Sequence, residues 1–172
     1  MTKQPTGLLL ATDAGHDLIL TRTYRAPIGD VWASLTEPDR TARWYGPWTG
    51  EAAPGRNIKV QLSFEEGRPW TEMRVEACEP PHRLAVSATD EAGSWLLEVL
   101  LTEQNGTTEF RFIQHLADDK LDMAPQVGPG WEYYLDMFEA AHTGSASRPD
   151  FGDYYPAMAQ YYEDLVRGQS SN

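Results

Sequence analysis

The chain is short of the residues and segments on which several classes of protein depend. Its 172 residues include one cysteine, Cys78, so neither an intrachain disulfide nor a cysteine-based zinc site can form. No apolar run approaches the roughly 18 residues that a membrane-spanning helix needs. The N-terminal MTKQPTG also lacks the apolar core of a signal peptide. We therefore expect a cytoplasmic protein that does not insert into a membrane.

Positive charge is scarce as well. Lys and Arg number 14 against 26 Asp and Glu, which gives a formal net charge of -12. A surface of this sign repels the phosphates of nucleic acids and of anionic lipid headgroups. We expect no nucleic-acid partner.

Motifs for catalysis, metal binding and phosphate binding are missing. The four histidines are far apart and lack metal-ligand spacing: His16, His82, His115 and His142. The glycine-rich VGPG, residues 127–130, has no following Lys and Ser or Thr, and Glu132 would repel a bound anion. We interpret VGPG as a sharp helix entry and Cys78 as a small buried residue. No catalytic residue, metal or cofactor is predicted.

A period of two in the apolar residues predicts a sheet through the middle of the chain. The sets that share a face are Ile58, Val60, Leu62 and Phe64; Met73, Val75 and Ala77; Leu84, Val86 and Ala88; Trp95, Leu97, Val99 and Leu101; and Phe110 with Phe112. Two apolar runs around TDAG predict an N-terminal hairpin, and Asn105-Gly106 is a strong hairpin signal. Because the connections are short, we predict a curved antiparallel meander.

Helical spacing appears in three places. Ile28, Val31, Trp32 and Leu35 predict a short helix, which a second helical turn follows before Gly46-Pro47. Trp131, Tyr134, Leu135, Phe138 and Ala141 form one stripe of a longer helix, with Glu132, Asp136 and Glu139 on an opposite acidic face. Met158, Tyr161, Tyr162 and Leu165 predict a last helix docked on the body. The fold class is α+β, with the long helix covering the apolar face of the sheet.

Three segments resemble a known family: LTRTYRAPIGDVWASLTEPDRTARWYGP, RVEACEPPHRLAVS and GPGWEYYLDMF. They are similar to the START-like (SRPBCC) superfamily and, within it, to the group named after the activator of the heat-shock-protein-ninety ATPase. The resemblance implies a helix-grip fold, in which a curved sheet wraps a long C-terminal helix around a cavity. Residues 18–144 would form this domain. Residues 1–17 would add a strand, and residues 145–172 a short docked helix over the cavity mouth or a dimer interface.

Large apolar side chains concentrate where the predicted helices face the sheet. Such rings commonly line apolar pockets, although each taken singly fits the core as well. We predict the following ligand-binding residues: Trp32, Trp44, Tyr45, Phe64, Met73, Trp95, Trp131, Tyr134, Leu135 and Phe138. The competing interpretation is that these rings fill the interior completely.

The resemblance leaves the activity open, because the family includes lipid carriers, hormone and polyketide binders, aromatase/cyclases and co-chaperones. We expect non-enzymatic binding of a small apolar or aromatic molecule in an internal cavity. One alternative is a co-chaperone or other protein-interaction role, and a homodimer is a further arrangement to test. The other alternative is a cyclase-type or hydrolase-type enzyme that uses Tyr134 or His115.

Overall fold

A computed structural model of the chain describes residues 3–90, 93–145 and 147–170, with the backbone alone for Ser170. The strands are β1 (Leu8–Thr12), β2 (Gly15–Tyr24), β3 (Trp48–Gly50), β4 (Asn57–Gln61), β5 (Trp70–Glu79), β6 (Arg83–Asp90), β7 (Gly93–Gln104) and β8 (Thr107–Leu116). The helices are α1 (Ile28–Thr36), α2 (Pro38–Thr41), α3 (Ala124–Thr143) and α4 (Ala159–Ser170). Short 3-10 segments cover Asp118–Met123 and Phe151–Asp153.

The strands form one antiparallel sheet in the order β1-β2-β8-β7-β6-β5-β4-β3. At the tip of the β7–β8 hairpin, Asn105 and Gly106 have φ of 54° and 76°, the left-handed pair that a tight two-residue turn requires. In β5 the register shifts between Val75 and Ala77, and such a bulge increases local bend and twist. The predicted hairpin at Asn105-Gly106 is confirmed.

Helix α3 lies across the concave face of this sheet. Phe138 is fully buried and its ring centroid is 5.0 Å from that of Phe110 on β8. Leu18 and Leu20 on β2 are equally buried beneath the helix. The helix-grip α+β fold is confirmed, including the two short helices after β2 and the extra C-terminal helix. Among the described residues, no helix is both long enough and apolar enough to cross a membrane.

The start of α3 differs from the prediction. The helix begins at Ala124, so VGPG lies inside it and the interpretation as a sharp helix entry is wrong. Gly128 faces α4, where a Cβ atom would stand 2.6 Å from ring carbons of Tyr162. This glycine is therefore needed for the close approach of α4. The glycine that suggested a turn in the sequence is therefore explained by the packing of Tyr162 against α3.

The acidic face predicted for α3 is also partly wrong, because Glu132 is 1% exposed. Its carboxylate accepts hydrogen bonds from the backbone N–H groups of Thr6 at 2.6 Å and Gly7 at 3.0 Å. Arg22 donates to it at 2.9 Å, and the Tyr162 hydroxyl at 2.5 Å. The N-terminal segment and α4 cover this side of α3 and replace solvent with donors. Asp136, one turn on, accepts from the Tyr154 hydroxyl at 2.6 Å.

Candidate ligand cavity

An apolar cavity of about 380 Å³ lies between the concave face of the sheet and the helices α1, α2 and α3. Its walls come from the helices and the segment after α2 on one side and from β4 to β8 on the other. The lining residues are Trp32, Leu35, Thr36, Glu37, Pro38, Thr41, Trp44, Tyr45, Gly46, Trp48, Ala52, Ile58, Val60, Met73, Val75, Cys78, Leu84, Val86, Leu97, Val99, Phe110, Phe112, Trp131 and Leu135.

The cavity exists because α3 covers only one half of the sheet. Under α3, Leu18, Leu20 and Phe110 are at most 1% exposed. Farther along the same concave face, Leu84 and Val86 on β6 are only half-buried, although their side chains point inward. Their remaining exposed surface faces the cavity. A separate apolar cluster of Ile58, Val60, Met73 and Val75 on β4 and β5 forms its floor.

The exposed members of the lining mark the opening. Glu37 and Pro38 lie at the junction of α1 and α2, and Ala52 lies in the loop after β3. Pro38 starts α2 immediately after α1 ends, so the chain turns here and leaves a gap above the sheet. The mouth is therefore formed by the α1–α2 junction and one loop.

Three of the four indole N–H groups around the cavity are already bonded to protein atoms. Trp44 donates to the carbonyl oxygen of Ser34 at 2.9 Å, and Trp48 donates to that of Thr36 at 2.8 Å. Trp131 donates to the side-chain oxygen of Gln114 at 2.7 Å. These bonds fix the orientation of the rings, so the apolar ring surfaces are what the indoles offer to the cavity.

Besides Glu37, two groups of the lining can titrate. Cys78 on β5 faces the cavity half-buried, and burial raises the pKa of its thiol. Burial, with a smaller effect from the carboxylate of Glu65, raises the pKa of the Tyr45 hydroxyl. Both groups therefore stay protonated and neutral near pH 7.

Six of the ten predicted ligand-binding residues line this cavity: Trp32, Trp44, Tyr45, Met73, Trp131 and Leu135. Phe138 lies one helical turn beyond Leu135, enclosed by the rings of Tyr24, Trp44 and Phe110. The apolar stripe on α3 that includes Phe138 extends beyond the cavity. Residues with the same helical spacing therefore lie in the solid core and in the cavity lining. That any of these residues binds a ligand stays a prediction.

The remaining three lie elsewhere. Tyr134 packs beside the rings of Tyr45 and Trp131, outside the lining. Phe64 follows the end of β4, where the guanidinium of Arg148 lies 4.3 Å from its ring centre. Trp95 lies near the start of β7 and lines a second cavity, of about 240 Å³, near the Asp118–Met123 segment.

Sequence reasoning missed several lining residues, among them Leu84, Val86 and Leu97. All three belong to inward-facing sets that the period of two identified, so the signal was present. The choice of ligand-binding residues favoured aromatic rings, whereas much of the lining is aliphatic side chains from β5, β6 and β7.

His115, one of the two candidate catalytic residues, lies outside the cavity lining, and so does His142. His115 bonds to Asp17 at 2.7 Å and to Glu98 at 3.1 Å in a polar row across the sheet. Burial opposes ionisation of Glu98, but hydrogen bonds from Arg83 and His115 outweigh it and lower the pKa of that carboxyl. The ring of His142 is 3.0 Å from the hydroxyl of Ser34, which is buried between α1 and its neighbours.

Within the described ranges, no group of three or more His, Cys, Asp or Glu side chains could hold a metal ion. The four histidines each have a different partner. His16 lies 3.4 Å from Asp118, and His82 bonds to the carbonyl oxygen of Leu101.

A curved antiparallel sheet that grips a long helix around an apolar cavity defines a START-like (SRPBCC) protein. The family model described as Activator of Hsp90 ATPase homolog 1-like protein matches residues 25–143, and the chain belongs to that family. No curated protein sequence is significantly similar to the chain.

Solved structures share the fold. CalU16 from Micromonospora echinospora is 24% identical with a TM-score of 0.74, and the match covers 95% of this chain and 98% of CalU16. EF2215 from Enterococcus faecalis is 17% identical with a TM-score of 0.74, covering 94% and 91%. DynU16 from the dynemicin biosynthetic locus is 22% identical with a TM-score of 0.67, covering 78% and 50%. At these identities the likeness concerns the fold alone.

Proposed function

We propose that this protein binds a small apolar or aromatic molecule in the cavity between the helices and the sheet, in the cytoplasm and without catalysing a reaction. The observation that carries the proposal is a cavity of about 380 Å³ with an almost wholly apolar lining. That volume falls in the range of about 300–1,000 Å³ typical of small-molecule sites.

The energetics of the cavity support this proposal. Protein interiors are normally packed as densely as organic crystals, and a void forfeits dispersion contacts along its whole surface. An apolar ligand would restore those contacts and remove apolar surface from water, at about 25 cal/mol for each Å². The sheet region of Leu84, Val86 and Leu97 would gain most, because its side chains face the void.

The positions of the polar groups favour binding over catalysis. The enzyme alternative relies on Tyr134 or His115, and neither lines the cavity. His115 is held by two carboxylates in a surface row, and the hydroxyl of Tyr134 has a pKa raised by burial and then by Glu65. If the enzyme alternative were right, Tyr134→Phe and His115→Ala would reduce turnover of a cavity-bound substrate.

A matched pair of variants on β7 tests the proposal. Leu97 faces the cavity, whereas its neighbour Leu96 is on the opposite face and 40% exposed. The wild type is titrated with the neutral naphthalene dye prodan, and binding is followed by the dye's own emission. We expect saturable binding that Leu97→Trp weakens by about tenfold or more, equivalent to about 1.4 kcal/mol, because the new ring fills the space. Leu96→Trp should bind prodan as the wild type does.

Two outcomes would reject this function. One is a flat titration for prodan and for other neutral aromatic probes. The other is binding that Leu97→Trp and Leu96→Trp affect equally, since the probe would then bind outside the cavity. Native mass spectrometry of protein purified without added ligand gives independent evidence, because a retained molecule appears as a defined mass increment.

The family description favours one further candidate, a role in protein interaction that includes a chaperone partner. The match over residues 25–143 is the observation behind it. A pull-down with the purified protein tests this role, and chaperone capture that survives Leu97→Trp would place the interaction outside the cavity. A homodimer is tested by sedimentation at several concentrations.

A further inference from the structure

We infer that the cavity selects a neutral, flat, carbon-rich molecule over a carboxylate of the same shape, and that the ligand's polar end lies at the mouth beside Glu37. The inference rests on the proposed function and specifies the chemical class of its ligand. It is carried by four features of the lining: its charges, its hydrogen-bond donors, the composition of its mouth and the ring surfaces of its walls.

Among the residues that the structure describes, none of those lining the cavity is Lys, Arg or His, and Glu37 is the carboxylate in the lining. Cys78 and Tyr45 remain protonated because burial raises the pKa of both. A carboxylate inside this space would lose its water without gaining an ion pair, which is among the largest penalties that a binding site can impose.

Five side-chain polar hydrogens around the cavity are already in use. The N–H groups of Trp44, Trp48 and Trp131 donate to protein oxygens. The hydroxyl of Thr36 donates to the carbonyl oxygen of Trp32 at 2.8 Å, and that of Thr41 to the carbonyl oxygen of Pro38 at 3.2 Å. A ligand oxygen beside these five groups would have to displace one of these bonds. The part of the ligand that contacts them is therefore hydrocarbon.

The mouth has the opposite character. Glu37 is exposed there, and its carboxylate pairs with the Arg40 guanidinium at 2.9 Å. A hydroxyl at the outer end of the ligand can donate to Glu37 while it remains in contact with water. A carboxylate in the same place would be repelled by Glu37, although Arg40 offsets part of that charge, and by a chain of formal charge -12.

Ring surfaces in the walls favour a flat ligand. Phe112 and Trp131 pack with ring centroids 4.4 Å apart, and Tyr45 lies nearly parallel to Trp131 at an angle of 13°. These three rings line the helix end of the cavity. Planar aromatic ligands can stack or pack edge-on against such walls.

Two fluorescent molecules of matched shape test the inference: anthracen-9-ylmethanol, which is neutral, and anthracene-9-carboxylate. At pH 7.5 we expect the alcohol to bind about 100-fold or more tightly than the carboxylate. Glu37→Gln removes the negative charge at the mouth and frees Arg40, so it should strengthen carboxylate binding by about threefold to tenfold. Asp39→Asn is the matched control, because Asp39 is an exposed acid in α2 that does not line the cavity.

The outcomes separate this inference from the function on which it rests. If alcohol and carboxylate bind equally and Leu97→Trp weakens both, the cavity binds ligands but the selection against carboxylates is overturned. An equal effect of Glu37→Gln and Asp39→Asn would overturn the role of Glu37. If neither molecule binds, or if Leu97→Trp leaves both affinities unchanged, the proposed function is rejected and the inference with it.

Discussion

The two sides of α3 have opposite surroundings. On the cavity side, Trp131 and Leu135 present apolar surface to a space that is not filled. On the back face, defined here as Gly128, Glu132 and Asp136, the surroundings are densely packed and polar groups are bonded to one another. One helix therefore carries an adaptable surface and a rigid one.

This difference shows where the fold tolerates change. A cavity lined by apolar atoms can accept ligands of several shapes, because dispersion and apolar contact are not directional. A buried carboxylate with several donors accepts few alternatives, since each donor left without a partner costs about 1–3 kcal/mol. The back face holds α3 in position, and the cavity face leaves apolar surface that no other part of the described chain covers.

The largest effect on stability should come from replacing Phe138, which α3 buries in the core one helical turn beyond the cavity. Phe138→Ala removes a fully buried ring that contacts Tyr24, Trp44 and Phe110, and we expect a loss of about 3–5 kcal/mol in the free energy of unfolding. Urea unfolding measures it. The control is Phe151→Ala, whose ring is 46% exposed, with a loss below about 1 kcal/mol. Equal losses would contradict the assignment of Phe138 to the core.

Glu132→Gln tests the back face alone. The amide keeps the shape of the side chain but loses the charge that Arg22 needs, and its NH2 group meets donors where an acceptor stood. We expect a loss of about 2–3 kcal/mol, with unchanged affinity for neutral ligands in the cavity. The control is Glu139→Gln on an exposed turn of the same helix, which should change stability by less than about 0.5 kcal/mol. Similar values for the two variants would show that Glu132 is hydrated.

Two glycines of the same helix make a sharper comparison. A Cβ atom at Gly128 would collide with the Tyr162 ring, so Gly128→Ala should destabilise by about 1–3 kcal/mol. Gly130 has open space around the corresponding position, so Gly130→Ala should stabilise by about 0.4–1 kcal/mol through the lower entropy of the unfolded chain. Thermal unfolding of both variants gives the signs. A stabilising Gly128→Ala would mean that α4 does not pack as described.

The smallest expected effect is a change in the rate at which Cys78, on the cavity side, is alkylated. Because burial raises the pKa of the Cys78 thiol, less thiolate is present at pH 8 than in the unfolded chain. Alkylation by iodoacetamide, followed by mass spectrometry, should be slower in the native protein than in urea and should accelerate at higher pH. Prodan at saturation should slow it further. A native rate equal to that in urea would show that Cys78 is not confined by the cavity.

Much of the fold could be predicted because its signals are local. The alternation of Leu84, Val86, Leu97 and Val99 reflects one-sided burial in a sheet, and Asn105-Gly106 reflects the φ values of one turn. The cavity could be anticipated only in part. The same stripe on α3 places Leu135 in the lining and Phe138 in the solid core, and the spacing of residues does not tell these positions apart.

The errors share a physical cause, which is contact between segments far apart in the chain. Glu132 lies on the polar side of α3 and would face water in an isolated helix. It is buried because Thr6, Gly7 and Tyr162, more than a hundred residues before it and 30 after it, close over that side. The interpretation of Gly128 as part of a turn is wrong for the same reason. Glycine is needed there because the Tyr162 ring of α4 packs against it.

The tie between Gly7 and α4 has a consequence for the order of events during synthesis. The hydroxyl of Tyr161 donates to the carbonyl oxygen of Gly7, and that of Tyr162 to Glu132. β2, moreover, pairs with β8 about ninety residues later. A nascent chain therefore holds its first hairpin without its neighbour β8 until that strand has been made, and without its contacts to α4 until later still. Such distant closures favour slow folding, and the outer edge of β2 lacks its strand partner while the middle of the chain is being made.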